Sequence, residues 1–502
     1  MPHHEARPDT DNGLQEQADL TRAELEDRAT AGVIVVATRG ALIMLLALAG
    51  NIVVARLLDP RDFGVVAIGM SFVLFASMLS QGGLGIGLIR RAEPPSDAEL
   101  GALTALQTTV TGVMVVAALA VAPAFGRVGW VTAVMMTSLP FAALQLPGRI
   151  LLERALLFRR LVVVEVAEVA FYQAWAVGTV VAGFGVWGLA TATVVRALAG
   201  GIAMAWACPE GLVRPRPSFR LIKPLLGFGL RFQAVDATLL VRGQALNASV
   251  AAISGLSTLG LWVLAHRLIQ VPDLIFQALW RVSFPTMSRL VSQKENVVPL
   301  VERALGIAAV GTGFVLTGLT AAAPGLVPGV FGEQWTEATT IIPGACLALA
   351  IGGCVSVATQ GYLYAVGDAT AVLRATLVQT VLWFAVTLPL LPVIGPVSIG
   401  IGWGASAVVE AVVLGRAATR RIHVRLVRPL LVPVSVGICS AAVGWVIALR
   451  EGADLWSGLL GGGCAVFLFV VGMAALDRQL LLETWRFAAA SARAAARRQH
   501  RR

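Results

Sequence analysis

Long apolar runs constrain the fold of this 502-residue chain more than any other feature of its sequence. A helix needs about 20 residues to cross the ~30 Å hydrocarbon core of a bilayer. Backbone groups inside that core must bond to each other, which favours helices. Fourteen such runs lie near residues 31–55, 63–89, 101–125, 128–148, 161–183, 185–207, 224–253, 258–282, 304–331, 338–365, 369–392, 395–415, 429–449 and 455–476. We therefore predict an all-α polytopic membrane protein with about 14 transmembrane helices.

The composition excludes an ordinary soluble protein. Hydrophobic residues make up 57% of the chain and charged residues only 14%, whereas soluble domains carry about 25% charged residues. The net charge of +10 is compatible with nucleic-acid binding in a soluble domain. Since the sequence contains no soluble basic domain, we predict no nucleic-acid partner and attribute the basic residues to membrane topology.

The loops between the runs alternate in their basic content. Four arginines, Arg56, Arg61, Arg127 and Arg450, lie in one set of loops. Twenty basic residues lie in the other set: Arg90, Arg91, Arg149, Arg154, Arg159, Arg160, Arg214, Arg216, Arg220, Lys223, Arg281, Arg289, Lys294, Arg303, Arg374, Arg416, Arg420, Arg421, Arg425 and Arg428. Because basic loops stay in the cytoplasm, we predict a multi-pass membrane protein with both termini cytoplasmic.

An internal repeat divides the runs into halves. Residues 51–64 and 247–260 share the pattern of an Asn, three residues, an Ala, eight residues and a Gly. A parallel repeat of six helices is typical of transporters built around a central cavity. The predicted regions are a disordered acidic cytoplasmic tail (1–30), an N-lobe (31–210), a C-lobe (211–425), helices 13 and 14 (426–476) and a basic cytoplasmic tail (477–502).

Neither catalytic nor metal-binding motifs are recognisable. The five cysteines lack CxxC spacing and nearby histidine pairs, so we predict no cofactor, no metal site and no enzymatic activity. The basic C-terminal region is interpreted either as a helix or tail lying on anionic lipid or as a solvated tail.

Short motifs along residues 31–475 resemble a known family. RLLDPRDFG at 56–64 resembles the R-L-x-x-P-x-x-F-G motif that follows the first helix of bacterial polysaccharide flippases. Later motifs fall in the expected order: GGLGIGLIR (82–90), GRILLERALLFRR (148–160), GFGVWGL (183–189), LGFGLRF (226–232), RVSFPTMSR (281–289), FGEQW (331–335) and AVGD (365–368). The chain is similar to the Wzx-type lipid-linked oligosaccharide flippases of the MOP superfamily.

This resemblance implies two six-helix lobes around a cavity, a final helix pair and a transport function. The implied substrate is an undecaprenyl-pyrophosphate-linked sugar repeat that moves from the inner to the outer leaflet. Membrane lipids, a polysaccharide polymerase and the export machinery are the implied partners. Drug antiporters and peptidoglycan-precursor flippases of the same superfamily are alternatives, as is a membrane polymerase or glycosyltransferase. Fourteen spans disfavour the antiporter, and short outer loops disfavour the enzymes.

Several arginines are candidates for binding the diphosphate of such a substrate, since a guanidinium matches phosphate geometry. A charge inside a membrane is costly unless it faces protein or water. The candidate cavity cations are Arg39, Arg231, Arg242 and Arg267. The alternative is that these side chains reach an interface or pair with acids, and for Arg196 we favour a pairing role between helices.

Acidic residues within the runs complete the candidate set. Asp236 and Asp273 are the deeper pair and are interpreted as ion-pair partners or as proton carriers in a coupled cycle. Glu165, Glu168 and Glu410 are predicted to lie near a membrane interface.

Overall fold

The structure is a computed structural model that describes residues 40, 43–44, 46–90, 93–452 and 454–500. The backbone alone is described at residues 86–87, 90, 219, 224–232, 234–236, 238–239, 271, 273–274, 278, 281–282 and 490–500. The predicted acidic tail, residues 1–30, lies outside the described residues.

The described chain is helical, as predicted. Its α-helices are α1 (Leu46–Leu57), α2 (Pro60–Gln81), α3 (Leu84–Arg90), α4 (Asp97–Val121), α5 (Gly126–Met136), α6 (Ser138–Ala143), α7 (Leu146–Arg154), α8 (Phe158–Val181), α9 (Val186–Ala207), α10 (Phe219–Ser292), α11 (Val298–Phe331), α12 (Ile342–Ala348), α13 (Cys354–Ala365), α14 (Ala369–Ile394), α15 (Val397–Thr419), α16 (Val427–Arg450), α17 (Leu455–Leu476) and α18 (Arg478–His500). Short 3₁₀ turns at Ala122–Phe125, Pro209–Gly211 and Glu333–Thr340 and a π-helical turn at Leu349–Gly353 join some of them.

Eleven helical segments in the described part of the chain are long and apolar enough to cross a membrane. One of them, Asp97–Ala143, is 47 residues long and includes the turn at Ala122–Phe125, where the sequence predicts a boundary between two spans. The polytopic all-α architecture is therefore confirmed, and the total of fourteen spans stays a prediction.

Side-chain caps fix where several helices begin. The Ser96 hydroxyl accepts a hydrogen bond from the Glu99 backbone amide (3.3 Å), and the Glu99 carboxylate accepts one from the Ser96 amide (2.9 Å). The Asp368 and Asp454 carboxylates accept hydrogen bonds at the starts of α14 and α17 in the same way. Each cap satisfies an amide that has no partner within the helix.

Contacts divide the chain into two compact units. Unit 1 comprises residues 1–58 and 65–247, and unit 2 comprises residues 59–64 and 248–502. The lobe boundaries predicted at residues 210 and 425 remain predictions.

The α10 helix contains a break that the sequence predicted between residues 253 and 258. Gly255 has a φ of 84° and a ψ of 175°, a conformation that a residue with a β-carbon rarely adopts. We call the part after this break, residues 256–292, α10b.

Within unit 2, the two copies of the internal repeat cross each other. A β-carbon on Gly64 would clash with the Leu256 carbonyl oxygen, and a β-carbon on Gly260 would clash with the Pro60 carbonyl oxygen. Since Pro60 and Gly64 correspond to Leu256 and Gly260 at the repeat offset of 196 residues, the two contacts are reciprocal. The crossing therefore has local two-fold pseudosymmetry, as a genuine repeat requires.

The last two spans pack against α11 in unit 2. Val310, Val436, Phe469 and Met473 form one buried cluster, with Leu480 and Leu481 of α18 beside it. The helix after residue 477, α18, therefore packs against the same buried cluster as these two spans.

Candidate functional site

Polar side chains line one face of α10b. Arg267, Gln270 and Gln277 are all exposed, and at 100° per residue they fall within an arc of about 80°. Position 281, another arginine, keeps the same register. Polar groups in a membrane-spanning helix are stable when they face water or protein rather than lipid. This polar face of α10b is the candidate site.

The Arg267 guanidinium is held by an aromatic ring from the repeat crossing. Its Cζ atom lies 5.8 Å from the centroid of the Phe63 ring. Phe63 contacts Trp335 edge to face, with 4.8 Å between the ring centroids, and Trp335 is fully buried. A cation over an aromatic face gains about 0.5–2 kcal/mol. This contact therefore favours one orientation of the exposed Arg267 side chain on the polar face of α10b.

A cluster of aromatic side chains anchors the opposite side of α10b. Trp262 lies about 140° around the helix from Arg267. It packs against Trp383 (6.0 Å) and Trp403 (5.9 Å), and the Trp383 indole donates a hydrogen bond to the Ile399 carbonyl oxygen (3.3 Å). His266 stands 4.9 Å from Trp262. Packing on α14 and α15 thus fixes the direction in which the polar face points.

The predicted cations are found in different places. Arg267 lies on the polar face, and Arg242 is half-buried in the part of α10 that precedes the break. Arg39 lies outside the described residues. Arg231, Asp236 and Asp273 lie on helical backbone, with their side chains outside the described ones. Of the four predicted cavity cations, the structure thus places Arg267 with a defined polar neighbourhood.

Arg196 belongs to an ion cluster in unit 1, in agreement with the predicted pairing role. The Glu168 carboxylate lies 2.9 Å from Arg149 and 3.4 Å from Arg196. Glu168 is 5% exposed, and its location near a membrane interface stays a prediction. Helix packing buries it, and two arginines balance its charge.

Burial raises the pKa of Glu153, which lies outside the candidate spans, although nearby Arg149 opposes that shift.

Sequence reasoning missed Gln270 and Gln277. Their spacing from Arg267, three and ten residues, places them on its helix face, and that periodicity is readable from the sequence. Charged residues alone do not reveal these positions, because a neutral amide also marks a polar face.

The polar face can bind an anionic, hydroxyl-rich ligand. The guanidinium supplies charge-assisted donors for phosphate oxygens, and each amide both donates and accepts hydrogen bonds. Among the residues that the structure describes, no group of three or more His, Cys, Asp or Glu side chains is placed to hold a metal ion.

Solved structures share this fold. The chain aligns with the lipid II flippase MurJ in an inward closed conformation at a TM-score of 0.68 and 11% identity, covering 89% of this chain and all of that one. An inward-facing multidrug resistance MATE transporter of the MOP superfamily aligns at a TM-score of 0.54 and 15% identity, covering 76% and 94%. The fold of this chain is therefore similar to the folds of these two proteins.

Two curated proteins are similar in sequence. The succinoglycan biosynthesis transport protein ExoT of Rhizobium meliloti (strain 1021) is 25% identical over 66% of this chain and 67% of its own length. The lipopolysaccharide biosynthesis protein WzxC of Escherichia coli (strain K12) is 24% identical over 61% and 64%. The chain is thus a polytopic membrane protein whose similar proteins include transport proteins and are not enzymes.

Residues 53–340, more than half of the chain, match the polysaccharide biosynthesis protein family. The chain belongs to that family, and the resemblance predicted from its motifs is confirmed.

Proposed function

We propose that the chain flips undecaprenyl-pyrophosphate-linked oligosaccharide repeat units across the bacterial inner membrane by alternating access, for the export of a surface polysaccharide. The observation that carries this proposal is the exposed polar face of α10b, with Arg267 and Gln270 in a candidate membrane span and Gln277 two turns beyond it. A drug antiporter has less need for such a combination, because its cargo carries neither a diphosphate nor several sugars.

The chemistry of the cargo matches these side chains. A diphosphate crossing a region of low dielectric needs cationic partners, and arginine offers a fork of donors. Sugar hydroxyls need groups that both donate and accept, which Gln270 and Gln277 provide. The polyprenyl tail gains nothing from polar contacts and stays in lipid.

The remaining predicted residues extend the proposed path. Arg39, Arg231 and Arg242 supply further cations, and Asp236 and Asp273 serve as their ion-pair partners or as proton carriers. The carboxyl groups of Asp236 and Asp273 can gain and lose a proton during the cycle, whereas arginine stays charged.

Two further observations support alternating access and the polysaccharide cargo. The reciprocal crossing at Gly64 and Gly260 supports a protein built from repeated halves, the kind of architecture in which one half moves against the other. The names of ExoT and WzxC tie those relatives to succinoglycan transport and lipopolysaccharide biosynthesis.

The test replaces Arg267 with Ala and with Lys in the native host. We expect Arg267→Ala to lower export of the surface polysaccharide at least about tenfold, the loss that ~1.4 kcal/mol of transition-state stabilisation produces. Arg267→Lys should retain part of the activity, because it keeps the charge without the bidentate fork. Export and the amount of membrane-embedded protein are measured in the same cells, together with the lipid-linked sugar that accumulates.

Arg416→Ala is the matched control, because Arg416 is an exposed arginine near the end of α15, outside the polar face. It should export normally. Normal export in Arg267→Ala would contradict the proposal, and loss of the protein itself would assign Arg267 a structural role. Chemical identification of the accumulated lipid-linked sugar distinguishes a polysaccharide repeat from a peptidoglycan precursor.

A further inference from the structure

The C-terminal helix α18 is a separate element from the span that precedes it. α17 ends at Leu476, and Asp477 has a non-helical φ of −148° and ψ of 68°. The Asp477 carboxylate then accepts a hydrogen bond from the Leu480 amide (3.1 Å), which caps the new helix. The chain therefore turns at the end of the span and starts a second helix of 23 residues, Arg478–His500.

One face of α18 packs on the first turns of α11. Leu480 covers Gly306, Phe487 packs on the buried core of unit 2, and the Glu483 carboxylate lies 3.6 Å from the Arg303 guanidinium. α11 is 34 residues long, whereas about 20 residues cross the hydrocarbon, and the charged residues of α11 lie near its start. These contacts hold α18 at the level where α11 meets the edge of the bilayer.

The opposite face of α18 is apolar and exposed. Leu482 is 42% exposed and Trp485 is 75% exposed. Relative to Leu480, these two residues lie about 200° and 140° around the helix. Tryptophan is enriched at the boundary between membrane and water, because its indole combines an apolar body with a polar N–H group.

Basic positions run along the edge between the two faces. Positions 486, 493 and 497 are arginines that fall within about 40° of each other. The helix carries five arginines and one glutamate in all. A charged helix with an apolar face lies in a membrane surface rather than across the membrane.

We propose that α18 lies in the membrane surface and binds anionic phospholipid headgroups, with Leu482 and Trp485 inserted between the lipids and the arginines on their phosphates. Charge complementarity favours an anionic lipid, and the packing on α11 leaves the exposed face at the bilayer edge. Trp485 lies only about 12 Å along the helix from Asp477, where the last span ends. This proposal is independent of the transported substrate.

The test places an environment-sensitive fluorophore at Trp485→Cys in the full chain, with Cys439 and Cys464 replaced by Ser. The protein is reconstituted in nanodiscs of phosphatidylcholine alone or mixed with phosphatidylglycerol, and quenching by neutral acrylamide is measured. We expect about fivefold weaker quenching in the anionic discs, an effect of the size that one arginine near an anionic surface produces. High salt should reverse the difference.

Three variants separate the proposal from its rivals. Combined Arg486→Glu, Arg493→Glu and Arg497→Glu should abolish the dependence on lipid composition. The same change at Arg214, Arg216 and Arg220, just before and at the start of α10 in unit 1, should preserve it. A fluorophore at exposed Thr336→Cys should report no lipid dependence. Equal quenching at position 485 in both lipids would overturn the proposal, as would shielding that appears only after a cytoplasmic protein is added.

Discussion

At the scale of single residues, Glu168 illustrates what a buried charge requires. Its carboxylate is shared by Arg149, whose side chain is 34% exposed, and Arg196, whose side chain is 45% exposed. A short hydrogen bond to a charged group contributes about 1.5–3 kcal/mol, whereas an exposed ion pair contributes about 0–1 kcal/mol. The two arginines should therefore contribute unequally.

We expect Arg149→Ala to lower the free energy of unfolding by about 1.5 kcal/mol, because Arg149 is partly exposed and Arg196 still balances the carboxylate, and Arg196→Ala by less than about 1 kcal/mol. Arg149 lies closer to the carboxylate and is the more buried of the two. Thermal unfolding of the purified protein in detergent measures both effects, with the exposed loop variant Arg214→Ala as control. Equal losses for Arg149→Ala and Arg196→Ala would show that the shorter distance carries no extra stability.

At the scale of elements, the repeat crossing depends on two glycines, Gly64 and Gly260. The clashing atoms are backbone carbonyl oxygens, so a small rotation of a side chain cannot relieve them. Overpacking of this kind typically costs 1–3 kcal/mol.

Gly64→Ala and Gly260→Ala should each lower the thermal stability by about 1–3 kcal/mol and reduce export, because the two segments can no longer approach. Gly243→Ala is the matched control, since it lies in the same helix, α10, with nothing within 4 Å of an added β-carbon. It should be neutral or slightly stabilising. If Gly243→Ala were as harmful as Gly260→Ala, loss of helix flexibility rather than the crossing would be responsible.

At the scale of the whole molecule, the distribution of basic residues predicts the orientation in the membrane. In a cysteine-free background, single cysteines in the loops that contain Arg154, Arg216 and Arg421 should react only from the cytoplasm. A cysteine in place of Glu333 should react with a membrane-impermeant reagent from outside. Both termini are then cytoplasmic. Labelling of the Arg421 and Glu333 loops from one side would rule out the fourteen-span topology.

Much of the fold could be predicted because its cause is local. Hydrocarbon thickness sets the length of a span, and the lack of water enforces helices, so the apolar runs alone indicate a polytopic helical protein. The break in α10 was also predictable, since Gly255 ends one apolar run shortly before the next begins. Arg267 was recognisable because a charge within a span is rare enough to be noticed.

The sequence by itself therefore determined the class of fold, the family and the main candidate cation. The tertiary structure decided which groups surround these residues: Phe63 beneath Arg267, and Arg149 and Arg196 around Glu168. Phe63 and Arg267 are 204 residues apart in the chain, and no periodicity links positions at that separation. Their proximity follows from the packing of many helices at once, which depends on the shape of every side chain between them.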